Sequence, residues 1–218
     1  MAEDPETKPG TMTIRLGIGG ATALSIQRRL RDARFVSRYF VGRGIDIGGG
    51  GDSLQLYAQL FPRIARVDTW DRAQGDAQAL ATIADASYDF VYSSHCLEHL
   101  EDPREGLRHW FRVLKPGGYL VVVVPDEDLY EQGVFPSTFN TDHKWTFTIR
   151  KERSWSNRSI NVVELCAVLG PHARLHKIEL LDAGFRYGLP RFDQTNTPIA
   201  ECGIEIIAEK LRAPVPGG

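Results

Sequence analysis

The sequence predicts an α/β fold, a doubly wound and mostly parallel sheet, and three observations carry that prediction. Ile45 and Ile47 flank Asp46 in strand alternation and run straight into four glycines, Gly48 to Gly51. Tyr119 to Val124 is an almost unbroken apolar, β-branched run ended by Pro125, as expected of a central strand covered on both faces. Between residues 42 and 125 the patterns alternate as strand, helix, strand, strand, helix, strand, the order of a layered α/β domain.

Taken in order, Thr22 to Phe40 carries Leu24, Ile26, Leu30, Phe35, Val36 and Tyr39 among arginines, an amphipathic helix expected to pack beside the first strand or to cap a ligand site. The stretch Gly42–Ser53 is strand, glycine loop and helix start. A loop with almost no side chains lets backbone approach a ligand closely, and the helix after it would offer unpaired N–H groups to an anionic group. Leu54 to Leu60 is apolar at near-helical spacing and is the expected helix. Gly48 and Gly50 satisfy the first two positions of G-x-G-x-x-G, but Ser53 occupies the third, which disfavours a nicotinamide or flavin cofactor. Ile64 to Asp68 reads as a second strand, whose terminal carboxylate, 22 residues after Asp46, is placed to accept both hydroxyls of a ribose.

Thr69 to Leu80 is short for a crossover helix, so a reduced helix or a loop is expected there. Asp76, followed by the small Ala77, suits either an adenine amino group or a turn cap. Tyr88 to Ser94 is the next strand and ends in Ser93 and Ser94 before His95; such strand ends face the ligand crevice of open α/β sheets. A helix over Pro103 to Leu114, with Asp102 and Glu105 at its start, is broken by Lys115-Pro116-Gly117-Gly118. After Pro125 comes a long excursion, about residues 126–158, in which Tyr130, Phe135, Phe139, Trp145 and Phe147 alternate with Asn140, Asp142, His143 and Lys144. It would lie over the crevice as a lid, and its mixture suits an organic acceptor; the plainer alternative is a surface loop with an aromatic mini-core. A helix near Ile160 to Leu169, strands near Arg174 to Leu181 and Ile204 to Ala208, and a polar segment Phe192 to Pro198 reaching the pocket rim complete the pattern.

The 218 residues fit a single domain over 14–212, with a flexible arm over 1–13 and a tail over 213–218. A net charge of −2 gives no general affinity for polyanions, so nucleic acid is not an expected partner. Cys96, Cys166 and Cys202 show no C-x-x-C spacing, which suits a reducing, cytoplasmic setting. No apolar run approaches the roughly 20 residues of a membrane span, and the N-terminus lacks an apolar signal core. A monomer or homodimer is expected.

Together, Ile45 to Gly50, the acidic strand end at Asp68, Gly75-Asp76-Ala77, and Tyr88 to His99 leading to Leu114-Lys115-Pro116-Gly117-Gly118 resemble a class I S-adenosylmethionine-dependent methyltransferase. The resemblance covers roughly residues 40 to 125 and implies a seven-stranded, Rossmann-like sheet whose final strands are antiparallel. It implies S-adenosylmethionine as cofactor and S-adenosylhomocysteine as product. By that resemblance Gly48, Gly49 and Gly50 meet the methionine part, and Asp68 holds the ribose with Thr69 beside it. Trp70 or Asp71 covers the adenosine, Asp76 and Ala77 meet adenine, and Ser93, Ser94 and His95 line the crevice near the sulfonium.

A hydroxyl acceptor must lose its proton during attack. His143, oriented by Asp142, is the first candidate base and His95 the second, since an imidazole titrates near neutrality. Tyr130, Phe135, Phe139, Asp142 and Trp145 are the candidate acceptor contacts. His95-Cys96-Leu97-Glu98-His99 also matches the metal-binding helix H-x-x-E-H. It follows a strand ending in Ser93-Ser94 and no further element offers an obvious third ligand, so a helix with no metal is expected. Nothing around Cys96 argues for a reactive thiol. The expected reaction is O-methylation of a small molecule, a sugar or a glycosylated natural product. N- or peptide methylation is the alternative within the family. Outside it stand a non-catalytic cofactor-binding subunit and a nicotinamide-dependent reductase, the latter disfavoured by Ser53 and by the lack of a Tyr-x-x-x-Lys pair.

Overall fold

The computed structural model describes residues 20–214, so the arm expected over 1–13 and residues 215–218 of the expected tail lie outside it. Helix α1 (Ala21–Arg31) is followed by a separate π-helical turn, Phe35–Tyr39, where one continuous helix was expected. The break comes at Asp32, whose backbone turns extended and whose carboxylate accepts from the Arg34 N–H at 3.0 Å. Strands β1 (Gly42–Ile47), β2 (Ile64–Trp70) and β3 (Tyr88–Ser94) precede helix α2 (Pro103–Arg112) and the long strand β4 (Leu114–Pro125). Then come the short strands β5 (Thr146–Thr148) and β6 (Ser159–Asn161), helix α3 (Val162–Cys166), and strands β7 (Ala173–Leu181) and β8 (Gly203–Lys210).

The central sheet runs β2-β1-β3-β4-β8-β7, with the first four strands parallel and β8 antiparallel to both its neighbours. It is the Rossmann-like layer expected, with one correction: six strands rather than seven among the described residues. The strand that would flank β2 is replaced by successive turns over residues 71–87, a segment without apolar alternation. That segment is docked instead through the Trp110 indole N–H, which donates to Ala77 O at 2.8 Å.

Strand alternation divides the core. Leu120, Val122 and Val124 of β4 pack with Ile45, Ile47, Val91, Leu107, Trp110 and Leu165 on one face. Tyr119 and Val121 pack with Phe35, Phe40, Phe90 and Tyr92 on the other. Both faces of β4 are therefore covered, which is why its sequence is uniformly apolar.

Between β4 and β6 the chain is folded around Glu127, which is fully buried. Its carboxylate accepts from Lys151 Nζ (2.7 Å), Ser154 Oγ (2.8 Å), Ser159 Oγ (2.5 Å) and Thr146 Oγ1 (3.1 Å). A buried carboxylate satisfied by hydrogen bonds from all sides ties this irregular segment to the sheet.

Candidate functional site

The glycine bend is shaped by what lies against it. Gly48 has φ +80°, and a Cβ there would stand 2.6 Å from Cys96 Cβ, so only glycine closes the bend against β3's end. A Cβ on Gly49 would meet Asp46 Oδ2 at 2.5 Å. Asp46 is fully buried and accepts from the Leu54 N–H at 2.6 Å; burial pushes its carboxyl up to about 6. The residues after the bend, Leu54–Leu60, form 3-10 turns rather than the expected α-helix. The first N–H groups there are occupied, Leu54 N by Asp46 and Gln55 N by Ser53 Oγ. What the bend offers a ligand is thus bare backbone, not a helix dipole.

A hollow of about 430 Å³ opens beside this bend, lined by Gly48, Asp71, Gly75, Asp76, Ala77, His95, Cys96 and His99, among others. Gly48, Asp76, Ala77 and His95 are therefore brought together as expected; Gly49 and Gly50 are not among the lining residues, and neither is Asp68. It lies mid-strand, paired in register with Ile45, and its carboxylate accepts from Arg43 Nε at 2.9 Å, Arg66 Nε at 2.5 Å and Tyr88 OH at 3.3 Å. Burial works against its charge, yet Arg43 and Arg66 hold it below the usual carboxylate range. β2 continues two residues further, with Trp70 O accepting from Gly48 N at 2.8 Å, so Asp71 is the carboxylate that emerges level with the bend. A Cβ on Gly50 would be 3.5 Å from Asp71 Oδ2.

Other expected contacts also fall outside this hollow. Thr69 Oγ1 is bonded to Ser53 Oγ at 2.8 Å, and Trp70 packs against the main core. Ser93 is fully buried and donates to Ile47 O at 2.8 Å; neither it nor Ser94 lines either hollow. Asp76 lines the hollow and also makes the turn contact foreseen for it, accepting from Gln78 N at 2.9 Å.

A second hollow of about 320 Å³ lies on the other side of β3's end. It is lined by Ala21 and Leu24 of α1, by Tyr130, Asn140 and His143 of the excursion after β4, and by Thr195, Asn196 and Glu201. His95, His99 and Asn140 belong to both hollows, so the two meet across these side chains. The polar segment expected at the rim is there, through Thr195 and Asn196. Of the expected acceptor contacts, Tyr130 lines this second hollow and Asp142 the first. Phe139 sits behind Tyr130 at a ring distance of 5.9 Å, and Phe135 lines neither hollow. Trp145 is turned away, its indole donating to Leu100 O at 3.0 Å while it packs on the core.

Where the hollows meet, one carboxylate faces three imidazoles. Glu98 is fully buried and neither of its oxygens has a hydrogen-bond partner. Its Oε1 lies 3.5 Å from His95 Nδ1, 3.8 Å from His143 Nε2 and 3.9 Å from His99 Nε2. Burial opposes its ionisation, but His95, His143 and His99 outweigh burial and hold its carboxyl below the ordinary range. His143 Nδ1 donates to Glu131 Oε1 at 2.7 Å, so Glu131, not Asp142, orients this imidazole. Burial lowers the His143 pKa, while the bond to Glu131 and the charge of Glu98 raise it further, leaving it above the usual imidazole value. His99 Nδ1 donates to Asp142 O at 3.1 Å. The stretch after β3 is a bend and a single 3-10 turn, Leu97–His99, rather than a helix, and His95 sits at φ +53°. Burial pushes the Cys96 thiol up to about 12, so it stays protonated and inert.

Glu131 and Glu201 are the site residues that sequence reasoning missed; Asp71 was foreseen only as a cover for the adenosine, and Asn140 only as one polar group of the excursion after β4. Asp71 has a legible signal, the level of the β1 glycines; Glu131 has none, since its pairing with His143 crosses an irregular loop.

Residues 24–173 match a family described as a methyltransferase domain. An uncharacterised 37.1 kDa protein of transposon Tn4556 from Streptomyces fradiae is 30% identical over 128 residues, which are 59% of this chain and 34% of that protein. The match thus spans about a third of that relative's length. A structure of a SAM-dependent methyltransferase from Aquifex aeolicus superposes with a TM-score of 0.53 at 12% identity, over 90% of this chain and 93% of that one. One of an S-adenosylmethionine-dependent methyltransferase from Listeria monocytogenes superposes with a TM-score of 0.53 at 14% identity, over 88% and 98%. These two likenesses establish the fold.

Proposed function

From the premise that the chain belongs to the methyltransferase-domain family and is an S-adenosylmethionine-dependent methyltransferase, we propose that it methylates a hydroxyl of a small, polar acceptor such as a sugar or a glycosylated natural product. The observation carrying this reading is the meeting of the two hollows at His95 and His99, one walled by bare glycine backbone and carboxylates, the other by Tyr130, Asn140, Asn196 and Glu201.

The first hollow fits the cofactor. The side-chain-free bend at Gly48 to Gly50 leaves room for the methionine part, Asp71 takes the ribose hydroxyls in place of Asp68, and Asp76 with Ala77 meets adenine. When bound, S-adenosylmethionine supplies an electrophilic methyl carbon with a good leaving group. The chain's own residues have to align the acceptor, exclude water and remove one proton; alignment alone is worth up to roughly 7–11 kcal/mol in favourable cases. The segment over 126–158 serves as the lid that excludes water on the acceptor side.

His95 takes the proton. Its Nδ1 faces Glu98 at 3.5 Å, which leaves Nε2 without a protein partner among the described residues. His143, the first choice from sequence, has Nδ1 bonded to Glu131 and Nε2 turned toward Glu98 at 3.8 Å, so His95 is the better placed base. A hydroxyl is favoured over an amine because a placed base is needed for the former, and because the wall offers amide and carboxylate groups suited to a polyol.

The test is a screen of hydroxyl- and amine-bearing small molecules with methyl-labelled cofactor, followed by mass spectrometry of the product. Label on oxygen is expected. Label on nitrogen only, or on a peptide only, overturns the reading.

A further inference from the structure

We infer that Glu98, His99 and His143 form a binding site for a divalent transition-metal ion, opening into the acceptor hollow. The inference rests on the acceptor assignment above only for the ion's use, not for its existence.

Glu98 is the starting point. A fully buried, ionised carboxylate normally collects hydrogen bonds, because desolvating a charge without partners costs several kcal/mol. Neither Glu98 oxygen has one. The nearest imidazole nitrogens stand off at 3.5 to 3.9 Å, outside hydrogen-bonding distance. The ligand atoms of Glu98, His99 and His143 all lie within 4.8 Å of one another. Ligands at roughly 2.0–2.2 Å from a common ion are separated by a little over 3 Å, so the gap needs only small side-chain adjustments to enclose one.

The second observation is what holds the two imidazoles. His143 Nδ1 donates to the Glu131 carboxylate at 2.7 Å, and His99 Nδ1 donates to the Asp142 carbonyl at 3.1 Å. In both rings the outer nitrogen carries the proton, and the lone pair of the neutral ring is on Nε2, aimed at Glu98. A histidine fixed through its far nitrogen by a carboxylate or carbonyl is the usual support of a metal-binding imidazole. His99 comes from the turn after β3 and His143 from the excursion after β4. The set therefore differs from the H-x-x-E-H pair His95 and His99, and its third ligand could not be seen from spacing.

Two imidazoles and one carboxylate suit zinc, cobalt, iron or manganese better than magnesium or calcium. His99 and His143 both line the acceptor hollow, so the remaining coordination positions face the acceptor. An acceptor hydroxyl bound there would have its pKa lowered, easing proton loss to His95.

The experiment uses the full chain, treated with chelator, dialysed and titrated with Co2+ followed by visible absorption, and with Zn2+ followed by calorimetry. One saturable equivalent is expected, weakened at least about tenfold in Glu98→Gln and in His143→Ala, and about 10- to 100-fold in the outer-contact variant Glu131→Gln. S-adenosylhomocysteine binding, measured on the same samples, reports that each variant is folded. Absence of saturable Co2+ and Zn2+ binding by the wild-type chain overturns the site, as does undiminished affinity in folded Glu98→Gln and His143→Ala. Metal binding decides the site whichever acceptor is methylated, and the acceptor screen decides the hydroxyl reading whether or not metal binds.

Discussion

Two aspartates three residues apart are assigned different work, and substitution separates them. Asp71 lines the hollow beside the glycine bend, whereas Asp68 is bonded to Arg43 and Arg66. A charge-assisted hydrogen bond contributes about 1.5–3 kcal/mol, so Asp71→Ala, which removes the group proposed to hold the ribose, should weaken S-adenosylhomocysteine binding roughly 10- to 100-fold by calorimetry. Its effect on folding should be small, since Asp71 is exposed on one side and anchors only its own turn. Asp68→Ala removes ion pairs to arginines that are themselves half or more exposed. Solvent screening limits such pairs to about 0–1 kcal/mol, so a slightly lower urea midpoint and unchanged ligand affinity are expected. If Asp68→Ala loses the ligand and Asp71→Ala keeps it, the register argument that placed Asp71 in the pocket is wrong.

Gly48→Ala should abolish measurable cofactor binding and lower stability by about 2–4 kcal/mol in a denaturant melt, because a left-handed residue costs roughly 1–2 kcal/mol and the new Cβ collides with Cys96. His95→Ala should reduce kcat by about 10²–10⁴, with a smaller change in S-adenosylhomocysteine affinity; equal losses in both would make His95 a binding residue only. Stability should fall with acid because of Glu205: burial penalises its charge, but Arg29, Arg28 and Lys177 outweigh that and hold it at about 2 instead of 4.5. Its contribution, on the order of 3 kcal/mol, is complete above pH 4.5 and lost as pH falls toward 2. Asp46, raised to about 6, acts with the opposite sign between pH 4 and 6, so urea midpoints should decline steeply only below about pH 4.5.

The parts of the fold legible in the sequence are those set by neighbours along the chain. Ile45-Asp46-Ile47 before four glycines, and the β-branched stretch of β4, announce themselves because strand alternation and double-sided burial leave a local record. Asp68 misled because a charged residue looks like the end of a strand. β2 is an edge strand here, the flanking strand being replaced by turns, so a carboxylate midway along it reaches Arg43 and Arg66 without deep burial. The one missing strand thus accounts both for the strand count and for Asp68 being bonded to Arg43 and Arg66 instead of lining the hollow. His143 was legible as an aromatic-rich segment's lone imidazole, whereas its partners Glu131 and Glu98 were not, since one lies across an irregular loop and the other on a different strand's end.

Glu98, Glu127 and Glu131 are all fully buried, and the contrast among them argues that the site beside Glu98 is functional. Glu127 accepts four hydrogen bonds and serves the folding of its segment. Glu131 is bonded to His143 at 2.7 Å and to Ser137 at 3.4 Å, and so fixes a ring. Glu98 does neither: it is left without a bond among three imidazoles, one of which is itself fixed by Glu131. If Glu98 served only the core, a neutral or apolar side chain would fold the region at lower cost, because an unsatisfied buried charge destabilises what it packs against. Its place beside His95 and His99, the side chains both hollows share, is what the proposed roles account for: the proton taken by His95 and the ion shared with His99 and His143.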